Sequence, residues 1–241
     1  MSFFDHLDEM RKRIIWSIVG IIVGCIIAGV FINNIMQLIL LKPAAKVGLN
    51  LQNLQPFGQP FLYFKVVFVV GLIISFPFAL WQLWLFIAPG LYQHERNWAS
   101  KITFFTSLCF LTGVAFSYFL MIPSMLAFAS SFGSSQIINN IDVNQYFSFI
   151  TIMLLACGLL FEMPMLAFVL SRFGFLTPKF MRKYRRHAIV VNLILGAILT
   201  PTTDPVSMMI FAAPLFILYE ISIFVSAMAG RKRKKAQSEE K

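Results

Sequence analysis

The chain has 241 residues, of which 59% are hydrophobic and 12% charged, with a mean hydropathy of +0.78. A soluble domain carries roughly 25% charged residues, so a soluble globular protein and a large polar ectodomain are both excluded. The net charge of +10 does not indicate nucleic acid, because the basic residues flank apolar blocks, where they anchor the chain at an anionic leaflet and set its orientation.

The N-terminal "MSFFDHLDEMRKR" leads into an apolar stretch too long for a cleavable signal, which is read as a retained first span. Six spans are predicted in an all-α membrane protein: 14–36, 63–87, 102–123, 146–170, 188–200 and 206–229. Together they form a single domain over 1–229, followed by a basic, disordered cytoplasmic tail over 230–241. The fifth span makes a helix of only about 20 Å, short for a bilayer.

Charge supports counting it. The segments 1–13, 88–101, 171–187 and 230–241 hold seventeen of the twenty Lys and Arg residues. On the other side stand only Lys42 and Lys46, with Lys65 just inside the second span. Six crossings put the seventeen in the cytoplasm together with both termini, whereas five would send "RKRKK" at 231–235 outside. The loops 37–62 and 124–145 are expected to be structured caps with short helices, the first showing no clear strand pattern. "PTTDP" at 201–205 is a tight hairpin between the last two spans.

Ten acids carry most of the remaining information. Glu162 stands in "LLFEMPMLAF", where an ionised carboxylate would cost at least ~2.5–3.5 kcal/mol. It can be a neutral structural group that bonds backbone freed by Pro164, a polar contact for a partner helix, or a proton-linked group. Glu220, in the last span, is read as structural, with Asn192 as a plausible hydrogen-bond neighbour. Glu9 and Glu95 lie on the basic cytoplasmic face. Each can accept a bidentate arginine, but Glu9 can equally pair with Arg13 at i+4, and Glu95 can favour the start of the third span.

Catalysis finds no footing. His6, His94 and His187 are scattered, and no nucleophile–base spacing or phosphate loop occurs. Cys25, Cys109 and Cys157 lie within apolar blocks without metal-ligand spacing and are read as buried small hydrophobes. Neither an enzyme nor a cofactor is expected.

Four stretches together, "HLDEMRKRI" at 6–14, "FIAPGLYQHER" at 86–96, "FEMP" at 161–164 and "TPTTDP" at 200–205, resemble the TatC family, the multispanning receptor subunits of the twin-arginine protein translocase. The resemblance covers about residues 4 to 229. It implies a concave six-helix bundle with short fifth and sixth helices in the cytoplasmic (inner) membrane, exporting folded proteins with the proton gradient. It further implies that Glu9 and Glu95 receive the paired arginines of a signal peptide, with Arg11, Phe86, Leu91, Tyr92 and His94 shaping the same patch. By the same resemblance, Glu162 contacts TatA-like and TatB-like single-span partners, which dock near the last two helices, and Asp204 is the acid of the outer hairpin. A homo-oligomer within the complex is implied as well.

Two positions depart from the family pattern. Met208 stands where many members have glutamine, so a polar cluster at Glu162 would have to use Thr200 or Ser207. Gln59 replaces a common acid in the first outer loop. Two rival readings follow from the residues. One is a proton-coupled transporter of a small solute with Glu162 as carrier, and the other is a scaffold in which Glu162 is purely structural.

Overall fold

The computed structural model describes residues 3–87, 93–131, 140–199 and 205–239. Helix α1 (Phe3–Val30) is followed by a single turn, α2 (Ile32–Asn34), and a π-helical stretch, Ile35–Leu40. Next come α3 (Lys42–Val47), strand β1 (Asn50–Gln52) and the long α4 (Gly58–Ile87). Helix α5 (Gln93–Phe116) continues through a second π-helical stretch, Ser117–Met121, into α6 (Ile122–Ser131). After β2 (Asn140–Asp142) come α7 (Val143–Leu160), α8 (Met163–Phe173), α9 (Pro178–Lys183), α10 (Arg185–Leu199) and α11 (Pro205–Glu239).

Among the described residues, five helical stretches are long and apolar enough to cross a membrane: Leu7–Val30, Gly58–Phe86, Ile102–Ser131, Val143–Phe173 and Met208–Gly230. The chain is a multi-pass membrane protein. The remaining predicted span corresponds to α10, whose 15 residues make a helix of about 22 Å.

Three features differ from the sequence reading. The sixth helix is not short: α11 is 35 residues long and carries Pro214 within it. It also runs through the basic segment to Glu239, where a disordered tail is expected from the sequence. The loop expected to face outward between the first two spans contains a strand after all, β1, which pairs in parallel with β2 in the register Asn50↔Asn140 and Gln52↔Asp142. Three residues are too few for an alternating pattern to be legible, and a partner 90 positions away creates the strand. The short helices expected in the caps are present.

The fourth span is interrupted. Helix α7 begins at an N-cap, Asp142, whose carboxylate accepts from the Asn144 N–H at 3.4 Å. It closes on tight backbone bonds from Phe161 N to Cys157 O and from Glu162 N to Leu159 O. Pro164, in the first turn of α8, has no N–H for the Leu160 carbonyl, so the helix is re-started rather than continued. Helix α8 ends at Gly174, whose φ of +85° suits glycine.

The main core lies toward the end of the bundle opposite the N-terminus. Met36, Leu40 and Ala44 of the cap pack there with Leu62, Val66, Met121, Ile122, Tyr146, Phe147 and Ile150. A Tyr146 hydroxyl bond ties the cap down: it donates to Leu40 O at 2.9 Å and accepts from the Ala44 N–H at 3.1 Å, all buried. A smaller cluster of Ala167, Met181 and Ile223 joins α8, α9 and α11.

Candidate functional site

Helix α1 lies along α4 through small residues. A Cβ at Gly71 would come within 2.6 Å of Cys25 Sγ, and one at Gly24 within 2.5 Å of the Gly71 carbonyl. This close approach fixes the rotation of α1, and with it the direction in which the first turns present their charges. Arg13 therefore faces α4. Its guanidinium donates through Nη1 to Gln82 Oε1 and through Nη2 to Glu9 Oε1, each at 3.3 Å.

The Glu9–Arg13 pair is the local i+4 alternative of the sequence reading, and the structure adds Gln82, a buried side chain 69 positions away. Glu9 and Arg13 retain 22% and 26% side-chain exposure, so the pair is accessible. Such a partly exposed ion pair is worth about 0.3–0.5 kcal/mol, little enough to be exchanged for another guanidinium. Among the described hydrogen bonds only Oε1 of Glu9 is engaged, while Arg13 Nε is buried without a partner.

The other residues assigned to this patch fall into three groups. Arg11 is exposed, two residues from each member of the pair and so not on their face of α1, and Phe86 is half-buried in the last turn of α4. Leu91 and Tyr92 lie outside the described residues. His94 and Glu95 occupy the first turn of α5, and their side chains lie outside the described set. The end of α4 and the start of α5 flank the five residues 88–92.

Glu162 forms a separate locus at the break between α7 and α8. Its residue is 6% exposed, and both carboxylate oxygens are buried with no hydrogen-bond partner. Phe161 beside it packs on Phe116 with ring centroids 5.2 Å apart, and Gly113 lies so close that a Cβ there would touch Phe161 and the Cys157 carbonyl. The carboxylate does not bond the backbone freed by Pro164, which removes that structural explanation. Met208 packs against Gly196 of α10, its carbonyl 3.2 Å from a Cβ built there. Thr200 and Asp204 lie outside the described residues, as does the Ser207 side chain.

Glu220 is partnered differently from the sequence expectation. It binds Arg185 Nη2 at 2.5 Å, and both side chains are about half exposed. Asn192 lines the same groove between α10 and α11 but keeps a buried, unpartnered Nδ2. The choice follows from reach: arginine at the start of α10 spans the distance to α11, while the shorter asparagine is turned inward. Nearby, Tyr219 donates to the Met181 carbonyl at 2.9 Å, and Ser171 and Ser226 hydroxyls meet at 2.6 Å, joining α11 to α9 and α8. The sequence reading missed the Arg185–Glu220 pair; its only signal was a basic residue just before the fifth span and an acid within the sixth.

Among the described residues no three His, Cys, Asp or Glu side chains gather as a metal site requires. The described residues thus hold a partly exposed carboxylate–guanidinium pair at one end of the bundle and a sealed, unsatisfied carboxylate at a helix break.

Comparison with known proteins identifies the family. The family model described as Sec-independent protein translocase protein (TatC) matches residues 5–214. A Sec-independent protein translocase protein TatC from Koribacter versatilis is 39% identical, with 98% of this chain and 90% of that protein covered. The Aquifex aeolicus protein of the same name is 35% identical over 98% of this chain and 99% of its own length. A crystal structure of the twin-arginine translocase receptor TatC superposes with a TM-score of 0.81 at 35% identity, covering 93% of this chain and 99% of that one. This chain belongs to the TatC family of Sec-independent protein translocase proteins.

Proposed function

We propose that this chain is the signal-peptide receptor and core subunit of a twin-arginine translocase in the cytoplasmic membrane, exporting folded proteins at the expense of the proton gradient. It has six crossings, α10 included, and both termini in the cytoplasm, the orientation favoured by seventeen of twenty basic residues. The observation that carries the receptor reading is the Glu9 carboxylate, held by a partly exposed guanidinium that a second guanidinium can replace.

The first arginine of a signal peptide displaces Arg13 from Glu9 and takes up a planar, bidentate pair, which a lysine ammonium cannot reproduce. Glu95 receives the second arginine, with Arg11, Phe86, Leu91, Tyr92 and His94 around it. When Arg13 is released from Glu9 it keeps its bond to Gln82, so α1 stays seated on α4. The apolar part of the signal then lies along the wall of the bundle. No bond is made or broken in the chain itself, and the role is binding rather than catalysis.

Glu162 serves assembly. A carboxylate whose two oxygens are buried and unbonded carries a desolvation cost that a polar group on a neighbouring helix would relieve. TatA-like and TatB-like single-span subunits supply that helix, docking against α10 and α11, and several copies of the chain assemble in the complex.

The test is binding of an Arg-Arg signal peptide to the purified chain, beside its Lys-Lys counterpart and a Glu95→Ala variant. Tighter Arg-Arg binding that Glu95→Ala abolishes is the expected result. Equal binding of all combinations overturns the receptor role.

A further inference from the structure

A groove of about 340 Å³ opens at the end of the bundle away from the N-terminus, lined by Lys42, Pro43, Lys46, Tyr118, Phe119 and Pro123. Its cationic rim is unusual for this chain. Lys42 and Lys46 are the only basic residues in the outer loops, and both stand on the same groove. Their four-residue spacing on α3 puts the two ammonium groups on one helical face. Both are exposed, and among the described residues neither has a carboxylate partner, since the two ion pairs there are Glu9–Arg13 and Glu220–Arg185. Lys65 is different: it donates to Ser148 Oγ at 2.7 Å.

The groove is also built. Tyr118 forms one wall and donates its hydroxyl to the Ile39 carbonyl at 2.9 Å, tying the third long apolar helix to the π-helical stretch before α3. Phe119 beside it is 72% exposed, with its ring edge-on to Tyr118 at 4.9 Å. Both aromatics belong to the π-helical stretch Ser117–Met121. Helix α3 is anchored behind the groove by the buried bond from the Ala44 N–H to Tyr146, so the lysines sit on a fixed element. The result is two cations above an apolar, aromatic floor, at the level where a membrane-spanning helix meets its cap.

We propose that this groove is a binding site for an anionic phospholipid, with Lys42 and Lys46 on the headgroup phosphate and an acyl chain against Tyr118, Phe119 and Pro123. The charge argument selects the lipid: a zwitterionic headgroup cancels its own phosphate, whereas two unpaired lysines match a net negative one. Each lysine near an anionic lipid surface contributes roughly fivefold in affinity. Two lysines on that side work against orientation sorting, and binding an anionic ligand there gives them a role of their own. The site does not depend on the receptor function, so failure of one leaves the other standing.

The experiment counts lipids retained by the purified full chain in native mass spectrometry, after exchange into detergent micelles containing phosphatidylglycerol or phosphatidylcholine. The wild-type chain is expected to keep one phosphatidylglycerol more than Lys42→Gln/Lys46→Gln, with at least tenfold weaker retention in the variant. Lys42→Arg/Lys46→Arg should hold the lipid as the wild type does, which separates charge from folding. Lys179→Gln/Lys183→Gln, on α9, serves as the control for non-specific attraction and should leave that lipid in place. Equal retention by the wild type and the glutamine pair overturns the proposal. Full displacement by inorganic phosphate overturns it too, since it makes the ligand a free anion rather than a lipid.

Discussion

Arg13 binds Glu9 on its own helix and Gln82 on the neighbouring one, both at 3.3 Å. One guanidinium thus engages Oε1 of the Glu9 carboxylate and staples α1 to α4. On the proposed receptor reading, recognition at Glu9 is an exchange of arginines rather than the filling of an empty site. Because Gln82 is buried and neutral, it can hold Arg13 after Glu9 has been taken over.

This exchange gives the first prediction. Arg13→Gln removes the internal competitor, worth about 0.3–0.5 kcal/mol, and should tighten Arg-Arg peptide binding about twofold. Glu9→Gln removes the charged acceptor and should weaken the same binding tenfold or more, because a bond to a charged group contributes about 1.5–3 kcal/mol. Titration of a fluorescent signal peptide into detergent-solubilised chain measures both. A tenfold loss with Arg13→Gln would show instead that Arg13 itself receives the peptide.

The second prediction concerns Glu162. Since both oxygens are buried without partners, Glu162→Gln should not lower the thermal stability of the isolated chain. Glu162→Ala should reduce co-purification of the single-span subunits roughly tenfold, in line with about 1–2 kcal/mol for an interhelical polar contact. Arg-Arg peptide binding should be unchanged in both. Normal assembly together with lost peptide binding would assign Glu162 to the signal rather than to the partners.

Tyr146→Phe tests the cap. Deleting the hydroxyl leaves the Ala44 N–H and the Leu40 carbonyl without their buried partner. The cost should be about 2 kcal/mol, seen as a lowered Tm in a scanning unfolding experiment on the chain in detergent. The loss should be confined to stability, since these groups lie at the far end of the bundle from Glu9. An unchanged Tm would mean that water replaces the hydroxyl.

A fourth prediction acts at a distance. A methyl group at Gly71 would meet Cys25 at 2.6–2.7 Å, with backbone atoms among those struck. Gly71→Ala should therefore push α1 off α4 at a cost of about 1–3 kcal/mol. Labelling of Cys25 by a membrane-permeant maleimide, mapped by peptide mass spectrometry, should accelerate. Signal-peptide affinity should fall with it, although Gly71 is far along α4 from Gln82. Unaltered labelling and affinity would show that the two helices can absorb the methyl group.

Much of this molecule was legible from local chemistry alone. Apolar blocks of bilayer length and the one-sided placement of Lys and Arg determine a multi-pass protein, because hydrophobic transfer and leaflet charge act on each segment separately. The rarity of acids made Glu9, Glu95, Glu162 and Glu220 conspicuous, and the i+4 spacing alone identified Arg13 as a partner for Glu9. Pro164 marked the disturbance in the fourth span, although not the fact that Glu162 stands in the turn itself.

Only the tertiary structure decided which partners those groups take. Arg13 reaches Gln82 because Gly24 and Gly71 let two helices touch, and Glu220 takes Arg185 rather than Asn192 because of how α10 lies on α11. Strand β1 exists only because β2, from a distant loop, lies beside it. In each case the outcome depends on helix rotation, crossing and reach over tens of residues. Those are properties of the packed chain, not of any window along it.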